Sequence, residues 1–410
     1  MEELFKLALG LAEPWSVKAI NFAVEKKRLD IDVDFKKGTK FKLDEEDEAS
    51  YPVHDTVQKT WKHLNFFQHE CYLTARVPRV RTDDGRTILV MPPWAGKIAG
   101  FTLLFEAFIL QLCKHMPVNQ VAKLTGVSDH KIWHLLECYI SLAMYNEDYS
   151  DVESVGMDET SVARGHDYIT LFVDLLNKKT IHISDGKGAN TVEEFTDILP
   201  YYKAKPEQIK EVSCDMSPAF IAGVRDNLPN ARITFDKFHI IKIINEAVDT
   251  VRRNEAKTNP ILKGNRYIFL KNNNNLTKKQ REKKHELLSM EELNLQSMKA
   301  LQMRENFQEI YKAETKQDFV FLLKMWCKWV SESDIEPMQK LVKTIKKHWD
   351  GIVAWKKTCI NNGILEGLNS VIQAAKRKAR GYKKPHFKII AYLITGKLNF
   401  KKINNHYLPT

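Results

Sequence analysis

Residues 155–187 read VGMDETSVARGHDYITLFVDLLNKKTIHISDGK, and residues 211–217 read EVSCDMS. Within the first stretch, VGMDETSV, DYITLFVDLLN and KTIHISDGK are rich in β-branched and aromatic residues, and polar turns separate them, one at residues 164–166. They predict three strands in an antiparallel meander. TVEEFTDIL follows as a helix, with Thr191 as N-cap and Glu194 completing a capping box. EVSCDMS is a fourth strand, PAFIAGVRDNL a helix, and ARITFDKFH a fifth strand. The order predicts an α/β fold, a mixed five-stranded sheet flanked by helices.

An RNase H-like core has this element order, and three acids fall where such a core gathers its chemistry. Asp158 lies inside the first strand, with apolar neighbours at Val155 and Met157, Asp215 ends the fourth, and Glu366 sits in the first turns of a late helix, GILEGLNSVIQAAKRKARG, closed by Gly381. Each acid has an ordinary alternative: a strand-end acid, a helix cap, a solvated residue. An unpaired acid in a central strand is costly, however. Three carboxylates in this order suit phosphoryl transfer with two hard divalent ions, Mg²⁺ or Mn²⁺. Asp236 and His239 follow the fifth strand and admit a supporting or a structural role, while Glu159 should face the other side of the sheet.

The late helix can be read by angle. Asn369, Ser370, Gln373, Arg377 and Arg380 fall within about 60° of Glu366. Leu365, Leu368, Ile372, Ala375 and Ala379 form a separate apolar stripe. The first face predicts a track along DNA, carried on by Lys376, Lys383 and Lys384; its alternative is a charged solvent face. From Asn361 to Thr410 there are ten Lys or Arg and one acid. The whole chain of 410 residues carries a net charge of +11 with a pI near 9.1, which favours a polyanionic partner.

Upstream, residues 101–115 predict an apolar helix. PVNQVAKLTGVSDHKIWHLLECYI (117–140) predicts two short helices around a turn at Gly126, the second capped by Ser128. This is either a helix-turn-helix, offering Asp129, His130, Lys131 and His134 to a major groove, or an ordinary helical hairpin. Residues 1–98 read as a small mixed module: IDVDFKKGTKFKL alternates, the acidic run 44–48 is a loop, and residues 74–81 and 87–91 form a hairpin around DDG. Residues 245–360 show no strand pattern and predict an all-helical insertion. Helices are expected at 287–312 and 319–330, with a solvated loop over the Lys- and Asn-rich stretch 271–284. Six scattered cysteines without a CxxC pair argue against a disulfide framework or cysteine zinc site. No stretch reads as a signal peptide or membrane span, so the expectation is a cytoplasmic protein.

Over residues 54–400 the chain resembles the ISL-three family of insertion-sequence transposases, a bacterial DDE group. The landmarks are WKHLNFFQHECYLTARVPRVR, GFTLLFE, MDETS, the DMS strand end, FDKFHIIKIINEAVDTVRR and NNGILEGLNSVIQAAKRKARGY. The resemblance implies cleavage at terminal inverted repeats and joining of the freed 3′-OH to target DNA. It makes Asp158, Asp215 and Glu366 the catalytic, metal-holding triad and implies a homodimer or larger assembly. Family members often carry a cysteine zinc module ahead of the helix-turn-helix; FKLDEEDEASYPVHD (41–55) has no cysteine there, so no zinc is expected. The expected division is a metal-free N-terminal module (1–98), helix-turn-helix region (99–150), first part of the core (151–244), helical insertion (245–360), and final helix with a basic C-terminal segment (361–410). A relic that binds DNA without cutting it, or a nuclease that never joins strands, would share most of these features.

Overall fold

The computed structural model describes residues 2–43, 49–163, 165, 167–289, 295–358 and 363–407. The acidic run 44–48, Arg164 and His166 of the expected turn, and Cys359 lie outside them.

Short helix α1 (Glu2–Ala8) precedes strands β1 (Trp15–Ala23), β2 (Arg28–Phe35), β3 (Lys40–Phe41), β4 (Tyr51–Phe66), β5 (His69–Arg81) and β6 (Thr87–Leu89). Helices α2 (Leu103–His115), α3 (Val118–Thr125) and α4 (Asp129–Tyr145) follow. Next come β7 (Ser154–Ala163), β8 (Asp167–Asp174), β9 (Lys179–Asp185), α5 (Asn190–Ile198), β10 (Glu211–Cys214), α6 (Pro218–Asn227) and β11 (Arg232–Phe235). The rest is helical: α7 (Lys237–Glu255), α8 (Arg266–Leu270), α9 (Lys278–Ser289), α10 (Gln296–Ile310), α11 (Lys316–Ser331), α12 (Glu336–Lys347), α13 (Trp349–Thr358), α14 (Gly363–Ala379) and α15 (Lys384–Thr395). The chain divides into two compact units, residues 1–147 with 372–410, and residues 148–371. The boundary falls inside α14.

In the first unit a six-stranded sheet runs β1-β2-β5-β4-β3, with β6 on β5. The expected hairpin is present, pairing Arg79 with Leu89 and Arg81 with Thr87. The long β4–β5 hairpin exceeds anything the alternation suggested: its charged outer face hides the pattern, while Leu73, Ala75, Val77 and Val80 are buried. In the helical part of this unit, Thr102 caps α2 by accepting from the Phe105 amide, and Gly126 closes α3 in the left-handed region (φ +64) that glycine adopts freely. Ser128 stands at the N-cap of α4 with an extended backbone, but its hydroxyl makes no capping bond, so that expectation is corrected. Helix α15 buries Phe387, Ile390 and Leu393; the last two join the apolar core of α2–α4.

In the second unit a five-stranded sheet runs β11-β10-β7-β8-β9, antiparallel from β7 to β9 and parallel across β7, β10 and β11. Strand β8 is buried from Ile169 to Asp174 without alternation, the mark of a central strand covered on both faces. Three expectations change. Helix α5 starts one residue before Thr191, whose hydroxyl donates to the Gly188 carbonyl instead of capping. The FDKFH segment is strand only to Phe235; Asp236 then caps α7 by accepting from the Phe238 amide. The stretch 271–284 is only half loop: α9 begins at Lys278, and Lys284 is buried against Asn273 and Glu305. That ion pair lets a lysine-rich segment pack, which composition alone cannot reveal.

Candidate functional site

The strand register assembles the site. Strands β7 and β10 run parallel and pair as far as Gly156 with Ser213, so two residues further on Asp158 and Asp215 arrive level. Strands β10 and β11 pair as far as Cys214 with Phe235, and one step more brings Asp215 level with Asp236. Three aspartates therefore form a row across three neighbouring strands, which stand about 4.8 Å apart: Asp158 lies midway along β7, and Asp215 and Asp236 lie at the carboxyl edge of β10 and β11. In open α/β sheets this edge is where ligands bind.

Helix α14 joins the row through a missing side chain. A Cβ built on Gly156 would meet Leu365 at 3.0 Å and Leu175 at 2.8 Å. Glycine at this position lets Leu365 pack tightly on β7, fully buried, and places the next residue, Glu366, on the sheet's carboxyl edge. Three residues on, the Asn369 amide donates to Asp158 Oδ2, while Asp158 Oδ1 accepts from the Glu159 amide at 2.9 Å. Asp215 accepts from the Ser217 amide at 2.9 Å. Glu159 is engaged elsewhere, 3.7 Å from Lys187.

Electrostatics separate these acids from ordinary ones. Burial pushes the half-buried Asp158 carboxyl up to about 6 against the opposing pull of His239 and its hydrogen bonds, and the charge of Asp215 adds to the rise. Glu366 is likewise raised, by desolvation and then by Asp236, with His239 again opposing. His239, in the first turn of α7, is thus common to both acids. Asp158 answers to Asp215, and Glu366 to Asp236. The structure therefore gathers all five of these sequence candidates in one neighbourhood. Among the described residues, none of Asp158, Asp215 and Glu366 has a Lys or Arg ion-pair partner.

Among the described residues, no three His, Cys, Asp or Glu side chains stand close enough to enclose a metal ion by themselves. Two observations nonetheless fit a hard cation. Asp158 and Asp215 are neighbouring carboxylates whose repulsion a cation would relieve. Asn369 Oδ1 is buried and, among the described residues, has no hydrogen-bond partner. Its orientation is fixed because the amide nitrogen must face Asp158, so an orphaned oxygen lies beside the carboxylate. Carboxylate and carboxamide oxygens are the donors magnesium prefers. Sequence reading placed Asn369 on the face of Glu366 but assigned it to DNA; the helix angle was the signal for its true neighbour. Gly156 gave no signal by type.

The other DNA candidates lie in the first unit. His130, Lys131 and His134 are exposed on the first turns of α4. Arg377, Arg380 and Lys383 are exposed, Gln373 and Lys384 half-buried, and Lys376 lies over the Phe387 ring at 5.8 Å. No described helix is long and apolar enough to cross a membrane.

A family model described as a transposase, the DDE transposase of family ISL3, matches residues 155–391. A model for the helix-turn-helix domain of transposase family ISL3 matches residues 90–137. The chain is 26% identical over 342 residues to the transposase for insertion sequence element IS1001 of Bordetella parapertussis, covering 81% of this chain and 82% of that protein. It is 25% identical over 372 residues to the transposase for insertion sequence element IS1557 of Mycobacterium tuberculosis, covering 82% of this chain and 81% of the relative.

Proposed function

The chain belongs to the ISL3 family of insertion-sequence transposases, with a helix-turn-helix DNA-binding domain and a DDE catalytic domain, and on that premise we propose that Asp158, Asp215 and Glu366 form its catalytic centre on an RNase H-like core. Family membership implies DNA cleavage and strand transfer. The observation that carries the residue assignment is the row of aspartates level across β7, β10 and β11, with Glu366 brought alongside by Leu365 on Gly156.

Asp158, Asp215 and Glu366 would hold two divalent cations, magnesium or manganese, which polarise the attacking and leaving oxygens of a phosphodiester. The protein's own residues set the geometry. Asn369 fixes the Asp158 carboxylate by donating to one oxygen and offers its free oxygen to the same space. His239 neighbours both Asp158 and Glu366 from the first turn of α7, and Asp236 caps that helix so that the ring keeps its position. The scissile phosphate would lie along this edge for in-line attack, first by water and then by the freed 3′-OH.

His130, Lys131 and His134 on α4 would read the terminal inverted repeat through the major groove. Residues 245–360 would serve as the helical insertion, and residues 1–98 as a metal-free module. Joining two element ends requires both in one complex, so the working form is a homodimer or larger. The test incubates the protein with Mg²⁺ and a labelled duplex carrying the element's terminal repeat, beside Asp158→Ala. Strand-joined products from the wild type alone support the reading; cleavage without joining indicates a nuclease. DNA binding without either reaction, in both proteins, overturns the catalytic assignment.

A further inference from the structure

The basic C-terminal segment was expected to extend a DNA track from Glu366. Its packing within the first unit argues for a different task. Trp133, in the second turn of α4, stacks on His386 of α15 with ring centroids 3.8 Å apart and planes 7° from parallel. Tyr382 meets the same indole edge-on at 5.9 Å. Behind this contact, Ile390 and Leu393 lie in the core of α2–α4, and Lys378 donates to the carbonyl of His115 at the end of α2. A cavity of about 410 Å³ is lined on one side by Asp129, His130 and Trp133 and on the other by Gly381 and Lys383. The turn after α14, with Arg380 (φ +62) and Gly381 (φ +110) both left-handed, brings the chain back to this position.

The consequence is a charge pattern that neither segment has alone. Exposed His130, Lys131 and His134 lie on the face that a helix-turn-helix presents to base edges. Exposed Arg377, Arg380 and Lys383 belong to the segment anchored beside that face by Trp133. Asp129 and Glu137 are the acids that face His386, and Lys131, Arg377, Arg380 and Lys383 outnumber them, so this flank is cationic on balance. A major groove is about 12 Å wide, so groups flanking a helix inserted in it meet the phosphates of its walls. Arginine and lysine there would fix register without reading sequence.

We propose that α4 and residues 377–383 form one composite surface for duplex DNA: α4 reads bases, and Arg377, Arg380 and Lys383 clamp the neighbouring phosphates of the same duplex. This rests on the reading of α3–α4 as the DNA-binding helix-turn-helix, and is independent of the catalytic assignment.

The test uses the full chain in EDTA, so that cleavage does not intervene. Fluorescence anisotropy measures binding to the terminal-repeat duplex and to a scrambled duplex across a salt series, for wild type, the triple variant Arg377→Gln/Arg380→Gln/Lys383→Gln, and His130→Ala. Loss of two or three phosphate contacts should lower the slope of log affinity against log salt by roughly 2–3, with both duplexes weakened alike. His130→Ala should leave the slope unchanged and reduce preference for the repeat by about tenfold. Near-ultraviolet circular dichroism of Trp133 against His386 checks that the triple variant keeps its packing. An unchanged slope in the triple variant, with preference still lost in His130→Ala, overturns the composite surface and leaves the helix-turn-helix reading intact. A wild type with no preference for the repeat overturns both.

Discussion

On the six-stranded sheet, Asp55 takes both nitrogens of Arg79, Glu70 accepts from Lys62 at 2.7 Å, and Asp34 accepts from Arg76. The Arg79 hydrogen bond holds the Asp55 carboxyl below its ordinary value, and Lys62 does the same for Glu70. Glu159 on the five-stranded sheet pairs with Lys187 in the same manner, but at the proposed site the same residue types behave in the opposite way. Asp158 and Glu366 are raised, first by burial and then by other acids, and among the described residues no lysine or arginine answers them. The six-stranded sheet uses these carboxylates to hold itself together; the five-stranded one keeps Asp158 and its neighbours short of cations where a cation can arrive. Stability alone would not favour this at Asp158, because a partly desolvated carboxylate without a cation costs free energy. This contrast sets acids that pair with cations apart from those proposed to hold metal.

The contrast breaks most visibly at Asp158. Asp158→Asn should lower strand cleavage and joining at least about a thousandfold, roughly 4 kcal/mol of transition-state stabilisation, in a product-formation assay. Repeat binding measured in EDTA should be untouched. Gly156→Val should come next. The added carbons collide with Leu365, costing about 1–3 kcal/mol of stability in a denaturant melt. Activity should fall further than stability explains, because Glu366 moves with Leu365.

Asn369→Leu removes the donor to Asp158 and the orphaned oxygen together. It should weaken Mn²⁺ binding about 10–100-fold by calorimetry, as loss of a supporting group does at metal sites. Asp55→Asn should change little there.

The two sheets also predict opposite signs with pH in metal-free protein. Asp158, raised when folded, contributes stability below about pH 4, and that contribution is lost as pH rises through about 6. Asp55 and Glu70, depressed when folded, contribute stability above their unfolded values, lost as pH falls through their folded ones. Melting temperatures across pH 3–8 should show the wild type losing ground to Asp158→Asn as pH rises. Arg76→Ala should have the smallest effect, about 0.2–1 kcal/mol, because the Arg76 side chain is solvent-exposed and Lys18 remains to pair with Asp34.

Much of the central sheet was legible because its strands are apolar runs bounded by turns, and the spacing of Asp158, Asp215 and Glu366 followed from it. Asp236 and His239 were visible as neighbours, but their place in the site required the register of β10 with β11. Gly156 was silent, since its meaning is the approach of Leu365 from more than two hundred residues away. The long β4–β5 hairpin was obscured by its charged outer face, and α9 by lysines whose partners are distant in sequence. Local pattern shows an element's buried face; it does not show which remote residue answers a charge.

The central claim is that these carboxylates lack cations in the protein because a metal supplies the charge. Thermal unfolding of wild type and Asp158→Asn, each in EDTA and in Mn²⁺, tests it most directly. The account predicts that the variant melts higher than wild type without metal, and that Mn²⁺ raises only the wild type. A variant that melts lower in EDTA, with both proteins gaining equally from Mn²⁺, would contradict it.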